Sequence, residues 1–266
     1  MPPDAGPPRD PGSFGAPAPV ERSSLRDALS TPEGKRTYVR RLFSVIAPRY
    51  DLITVLLSYG QDRRWKRRLV GMAALPPGAR VLDLACGTGD IAFLMGSAGG
   101  RVTALDVTPG MLQLARRRPE ASRCPVVFLA GDMCALPFER DSFDVVTTGY
   151  GLRNVPDLPQ ALAEIHRVLA PGGQLLSLDF NRPRSAPVRL VYLAYLTAIG
   201  SVLGYVLHRD PDTYRYIPES IRRYPGAERV AQLALRVGFE RCRWTRVLGG
   251  LMAIHDARKG AAPSAP

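Results

Sequence analysis

An apolar run, VLDLA from Val81, passes directly into Cys86-Gly87-Thr88-Gly89 and then Asp90, with Ala92 where a third glycine could stand. Glycines at this spacing let the backbone approach a ligand closely, and a helix starting just after them turns its positive end toward it. The pattern fits a loop for a nucleotide-type cofactor; a plain strand-to-helix turn is the competing reading. Asp106 ends the next apolar run, about twenty residues beyond the loop, where a carboxylate can accept both hydroxyl protons of a ribose. Asp132 and Met133 follow a third apolar run. There the carboxylate can accept from an adenine amino group while the thioether lies on the ring, although Asp132 also suits an ordinary turn. A short-chain dehydrogenase would need Tyr-x-x-x-Lys, and the three lysines, Lys35, Lys66 and Lys259, never stand four residues after a tyrosine.

These residues need a scaffold that brings the ends of several strands together. Candidate strands are RVLDLA from Arg80, RVTALD from Arg101, PVVFLA from Pro125, FDVVTT from Phe143 and GQLLSLDF from Gly173, with helical stretches between them. Near-continuous apolar strands alternating with helices predict a parallel sheet covered on both faces, with its ligands at the carboxyl ends of the strands. HRVLAPGG predicts a helix ended by Pro171 to Gly173. ERCRWTRVL and LMAIHDA, joined at Gly249 and Gly250, predict a terminal antiparallel hairpin. The fold class is therefore α/β: a mostly parallel seven-stranded Rossmann-like sheet with helices on both faces, as in class I methyltransferases. Ahead of it, Ser30 to Leu75 reads as a helical preface, with Ser30 or Thr31 as cap, Pro32 in the first turn and apolar residues at Val39, Leu42, Phe43 and Ile46.

Length and composition allow one domain, expected over 30–259 with a helical insertion at about 185–226. Residues 1–29 read as a disordered Pro/Gly-rich tail without a secretory signal, and 260–266 as a flexible tail. Cys86, Cys124, Cys134 and Cys242 lie too far apart in sequence for a C-x-x-C site or a disulfide framework, which suits a reducing cytoplasm. The net charge of +12 calls for an anionic neighbour or only water around clusters such as Arg63, Arg64, Lys66, Arg67 and Arg68, or Arg116 to Arg118. No aromatic-basic surface motif for nucleic acid accompanies it. Residues 190–207 carry no charge, are long enough to span a bilayer, and contain G-x-x-x-G at Gly200 and Gly204. A single crossing there would separate the terminal hairpin from the sheet it completes, so a lid or interfacial helix is expected. A buried core helix is the alternative.

FSVIAPRYDLITVLLSYGQDRRWKRR, TTGYGLRNVPD and DPDTYRYIPESIRRYP, taken with the glycine loop and PGG, resemble the ubiquinone/menaquinone biosynthesis C-methyltransferase family from about Tyr38 to Lys259. The resemblance implies an S-adenosylmethionine-dependent enzyme that methylates a ring carbon of a polyprenylated quinol. Demethylmenaquinol to menaquinol is the leading reaction, with the ubiquinone-pathway benzoquinol or another phenolic molecule as the alternative. It also implies peripheral contact with the inner face of the cytoplasmic membrane and permits an oligomer. By position it places cofactor contacts on Asp83, Gly87, Thr88, Gly89, Asp106, Asp132, Met133 and Gly149. Gly149 stands where some members carry serine, so only its backbone can contribute.

Carbon methylation needs an electron-rich ring, hence loss of a phenolic proton to a base or a water. Arg153 and Asn154 are the candidates beside the ring. Arg153 does not readily give up its proton, so its expected role is to stabilise a phenolate or fix a water, with Asn154 orienting a hydroxyl. Tyr50 and Asp51 can reach over from the preface, with Asp51 as possible base, or simply join two helices. His208 and Asp210 are further base candidates, although His208 reads more simply as a plain interfacial residue, and Tyr214 and Tyr216 can line the pocket or merely pack.

Overall fold

The computed structural model describes residues 25–183, 185–211 and 213–261. Among the described residues, four α-helices precede the sheet: α1 (Leu25–Ala28), α2 (Pro32–Ile46), α3 (Tyr50–Leu57) and α4 (Asp62–Gly71). Then β1 (Arg80–Leu84), α5 (Asp90–Ser97), β2 (Arg101–Asp106), α6 (Pro109–Arg116), β3 (Val126–Ala130), β4 (Phe143–Gly149), α7 (Leu158–Val168) and β5 (Leu169–Phe180) alternate. After them come α8 (Ala186–His208), α9 (Tyr216–Arg223), α10 (Ala227–Arg236), β6 (Phe239–Val247) and β7 (Met252–Lys259).

The strand order is β3-β2-β1-β4-β5-β7-β6, parallel through the first five and antiparallel at β5-β7 and β7-β6. This is the expected seven-stranded sheet with its terminal hairpin. Alternation along β1 feeds both faces: Val81 packs with Trp65, Leu69 and Phe93 of α4 and α5, while Leu82 and Leu84 pack with Ile165 of α7 and Val230 of α10. The edge strand β3 departs from two-sided burial, leaving Val127 59% exposed.

Other expectations need adjustment. Thr31 caps α2, its hydroxyl accepting from Gly34 N at 3.1 Å. The fold, however, begins before residue 30, because Leu25–Ala28 forms a helical turn and Leu29 is buried against Val39 and Leu42. The part of the expected tail over 1–24 lies outside the described residues. Helix α7 ends at Val168, not at the PGG run: the chain is already extended at Leu169, and the register between Phe143↔Leu169 and Val145↔Gln174 absorbs 170–173 as an irregularity. A residue before proline disfavours the helical region, so Ala170 ahead of Pro171 shifts the boundary upstream.

In the basic run on α4, Arg63, Arg64, Arg67 and Arg68 are exposed, whereas Lys66 is buried between Asp62 at 2.7 Å and Asp90 at 2.8 Å. Burial alone would lower the Lys66 pKa, but Asp90 and Asp62 outweigh it and raise the value. The cysteines are all free.

Helix α8 passes the length and apolarity test for a membrane span. Its glycines do not meet a second helix: Cβ atoms at Gly200 and Gly204 would stand 3.2 Å from Tyr214 Cβ and 2.4 Å from Asp210 O. Small residues are needed there because the chain folds back tightly on α8. Tyr192, Leu193 and Leu196 turn inward, whereas Val191, Val202, Tyr205 and Val206 face out at 59–69% exposure.

Candidate active site

Two cavities open where the carboxyl ends of the parallel strands meet the helical preface. The first, about 730 Å³, is lined by Gly87, Asp106, Asp132, Met133, Gly149 and Asn154 among others. The second, about 770 Å³, is lined almost wholly by apolar and aromatic side chains from α2, α3, α8 and the α9 region, with Arg153 as the one charged residue among its described lining residues. Phe43, Tyr50 and Tyr150 belong to both walls.

In the first cavity, parallel pairing of β1 with β2 sets Asp106 beside the glycine loop. Its carboxylate accepts from Gly87 N at 2.9 Å and Thr108 N at 2.8 Å, and so holds the loop in place. Burial raises its pKa, opposed by those two N–H groups. Gly87 and Gly89 have φ of 54° and 88°, a left-handed backbone that glycine adopts without a Cβ clash. A Cβ at Gly149 would stand 2.6 Å from Ile91 Cδ1, so a larger residue there would require the end of the Ile91 side chain to move aside. Across the cavity, Asp132 accepts from Cys134 N at 2.8 Å and lies 3.0 Å from Arg36 Nε of α2, while Met133 is buried beside it.

Asp83, Thr88 and Gly89 do not line this cavity. Asp83 and Thr88 border a small adjoining pocket with Tyr50, Gly87, Gly149 and Tyr150, while Gly89 caps α5. Asp83 Oδ1 accepts the Thr147 hydroxyl at 2.7 Å, and Oδ2 is buried without a partner. Burial pushes its pKa up to about 7 against Thr147 and Lys66. Because the folded state holds this proton more tightly than the unfolded chain, Asp83 lowers stability progressively as pH rises from about 4 to 7. Asp83→Asn should therefore gain about 1–2 kcal/mol over the unaltered protein at pH 8 and little at pH 4, as read by thermal melts at both pH values. An advantage equal at both would show that Asp83 carries no such penalty.

The catalytic candidates divide between the cavities. Arg153 enters the apolar one, 6% exposed, with Nε 3.4 Å from Asp179 Oδ1, its terminal nitrogen 2.6 Å from Ser220 Oγ and its guanidinium 4.9 Å from the Phe180 ring centre. Asn154 faces the glycine-loop cavity instead, donating to Tyr150 O at 2.8 Å and accepting from Tyr216 at 2.9 Å. Tyr50 stands at the junction, its pKa raised by burial. Asp51 is exposed, accepts the Thr88 hydroxyl at 2.7 Å and lines neither large cavity. His208 bonds Tyr214 at 2.8 Å, and both Tyr214 and Tyr216 line the apolar cavity.

Residues 31–259 match the ubiE/COQ5 methyltransferase family. The chain belongs to this family. It is similar to a demethylmenaquinone methyltransferase of Thermus thermophilus, 43% identical over 80% of this chain and 98% of that one. It is also similar to a ubiquinone/menaquinone biosynthesis C-methyltransferase UbiE of Paracoccus denitrificans, 40% identical over 85% and 92%. A crystal structure of a Thermotoga maritima S-adenosylmethionine-dependent methyltransferase, possibly acting on histamine, shares the fold with a TM-score of 0.61, 19% identity and coverage of 83% and 99%.

This methyltransferase is therefore S-adenosylmethionine-dependent, and the first cavity fits that cofactor. The carboxylates of Asp106 and Asp132 in its wall offer acceptors for ribose and adenine donors. The orphaned Asp83 Oδ2 borders the glycine loop, where the cofactor's ammonium could supply the missing donor.

Sequence reasoning missed four contributors: Tyr150, Asp179, Ser220 and Arg36. Asp179 is the last residue but one of β5, much as Asp106 ends β2, so the strand-end rule that found one also applied to the other. Tyr150 has φ of 60° and donates to Asp62 Oδ1 at 2.6 Å, a contact between segments far apart in sequence. Ser220 and Arg36 lie on helices whose faces become visible only once they pack.

Proposed function

We propose that this enzyme methylates a ring carbon of a polyprenylated quinol, converting demethylmenaquinol to menaquinol. The observation that carries the reading is the meeting of two cavities at Phe43, Tyr50 and Tyr150: one sets the carboxylates of Asp106 and Asp132 in a mainly apolar wall, the other is apolar with Arg153 as the charged group among its described lining residues. S-adenosylmethionine, when bound, supplies an electrophilic methyl group. Asp106 holds the ribose and the loop, Asp132 and Met133 the adenine, and Asp83 with the backbone of Gly87 and Gly149 the amino-acid end. Thr88 and Asp51 tie the loop to α3, and Gly89 starts the helix beneath it.

The quinol ring enters the apolar cavity, where Tyr50 and Tyr150 hold it against the methyl group. Arg153, fixed by Asp179 and Ser220, keeps its charge and stabilises the oxygen that turns anionic as the ring becomes nucleophilic. Arg153 is buried there, which strengthens that interaction. Asn154 orients the Tyr216 hydroxyl and closes the 150–154 turn. The name of the Thermus relative favours the menaquinone substrate. Purified enzyme with S-adenosylmethionine should convert short-chain demethylmenaquinol to a product heavier by one CH2, with the ubiquinone-pathway benzoquinol converted more slowly. Methylation of the benzoquinol alone would move the assignment to that pathway, and methylation of neither would overturn it.

A prenyl tail calls for contact with a bilayer, and the outward stripe of Val191, Val202, Tyr205 and Val206 on α8, near exposed Leu52, Val55 and Leu56 of α3, suits an interfacial position. The basic surface would add attraction to anionic lipid. Binding to neutral vesicles should persist in high salt, and Val191→Asp with Val202→Asp should weaken it by about tenfold or more in sedimentation assays. Binding unchanged in the double variant would exclude the α8 stripe as the contact.

A further inference from the structure

The quinol reading leaves one proton to be accounted for. The ring carbon forms a C–C bond to the methyl group with electrons from the deprotonated quinol, and the C–S bond breaks with its pair remaining on sulfur. The same carbon then loses its hydrogen as a proton and the oxygen recovers one, so each turnover releases one net proton. Among the described residues, no carboxylate, imidazole or lysine lines the apolar cavity that would hold the ring. Proton removal must therefore begin at a lining hydroxyl or a water.

The hydroxyls of that wall lead to different places. Tyr216 bonds the amide of Asn154, which does not take up a proton. Tyr150 bonds Asp62, but that carboxylate is buried and held by Lys66, itself bridged to Asp90. Protonating it would take from the buried Lys66 one of its two carboxylate partners. Tyr214 differs: it is 1% exposed, lines the cavity, and has its hydroxyl 2.8 Å from His208 Nε2. His208 is half-buried at the last residue of α8, and so joins the cavity wall to solvent.

Resting on the quinol assignment, we infer that Tyr214 and His208 form the relay that carries the released proton from the apolar cavity to solvent. Tyr214 passes its hydroxyl proton to Nε2 as it accepts one from the substrate side, and the imidazole releases a proton to water. The charges nearest the imidazole are Arg49, which also donates to Leu207 O at the end of α8, and Asp210. Burial, then Arg49, lower the imidazole pKa while Asp210 raises it, and the net shift is downward, which favours the neutral, proton-accepting form. Burial pushes Tyr214 up to about 12, which makes it a conduit and not a standing base.

The test is single-turnover methylation of short-chain demethylmenaquinol at saturating S-adenosylmethionine, across pH 5 to 9, with folding checked by thermal melting. The unaltered enzyme should lose rate on the acid side as the imidazole becomes protonated. His208→Gln keeps a hydrogen-bonding group but cannot titrate. It should be slower by about 10- to 100-fold at pH 7, lose the acid limb, and regain rate with added imidazole. Tyr214→Phe should show a similar loss without rescue, and the double variant should be no slower than either single one. A His208→Gln enzyme with the original rate and acid limb would overturn the relay while leaving the quinol assignment intact. Failure of the unaltered enzyme to methylate any quinol would overturn the assignment itself.

Discussion

Replacing Arg153 with Leu is expected to slow methyl transfer by about 100-fold, equivalent to about 2.7 kcal/mol, while S-adenosylmethionine affinity changes little. The guanidinium is the one charge among the described residues lining the apolar cavity, and its interaction with substrate oxygen grows as negative charge develops, so its loss falls on kcat. A second effect follows from burial. Asp179 is 1% exposed, and removing its partner leaves an uncompensated carboxylate, a cost of about 3–5 kcal/mol in folding stability. The variant Arg153→Leu/Asp179→Asn removes that charge and should recover much of the stability without recovering activity. Arg153→Lys should recover only part of the rate, because an ammonium cannot reach Asp179, Ser220 and the Phe180 face together. Single-turnover rates and melting temperatures on the three variants separate the two roles. A stable double variant with normal single-turnover rate would leave Arg153 as a structural ion-pair partner only.

Asp106→Ala should weaken S-adenosylmethionine binding by about 1.5–3 kcal/mol, roughly 10- to 150-fold, since charge-assisted hydrogen bonds to ribose are lost. The loop is also affected, because Gly87 N and Thr108 N both lose their acceptor. Each unsatisfied N–H costs about 1 kcal/mol or more when it stays buried, so the melting temperature should fall as well. Asp106→Asn retains one acceptor oxygen and should be intermediate in both. Because burial raises the Asp106 pKa, cofactor affinity in the unaltered enzyme should begin to decline on acidification above the usual aspartate range. Calorimetric titration at several pH values checks both points. A folded Ala variant with unchanged affinity would remove Asp106 from the cofactor site.

Local patterning made the sheet, the glycine loop and the strand-end carboxylates legible. An apolar run too short and too β-branched for a helix reads as a buried strand, and in a parallel sheet whatever follows it lies at the ligand-binding edge. That rule points to Asp106, Asp132 and, just past the fourth strand, Arg153 from one chain of letters, whereas Gly149 is implied by the resemblance. The rule does not say which of two neighbouring side chains faces which cavity. Arg153 and Asn154 stand side by side in sequence, yet one enters the apolar cavity and the other the glycine-loop cavity, because the 150–154 turn sits on the wall between them. The reading of Lys66 within a surface basic run failed for a similar reason, since α4 buries one face and its lysine meets Asp90 from another helix.

The sequence by itself determined the α/β alternation, the hairpin and the residues of the glycine loop, because these depend on hydrophobic period and backbone freedom within a few residues. Tertiary structure alone decided the active-site pairings: Arg153 with Asp179 and Ser220, Tyr150 with Asp62, Thr88 with Asp51, and Tyr216 with Asn154. Each joins segments at least 26 residues apart in the chain. Their geometry is set by how the helical preface and α8–α9 pack over the sheet, and a carboxylate or hydroxyl that has a buried partner reads in sequence the same as one that meets only water.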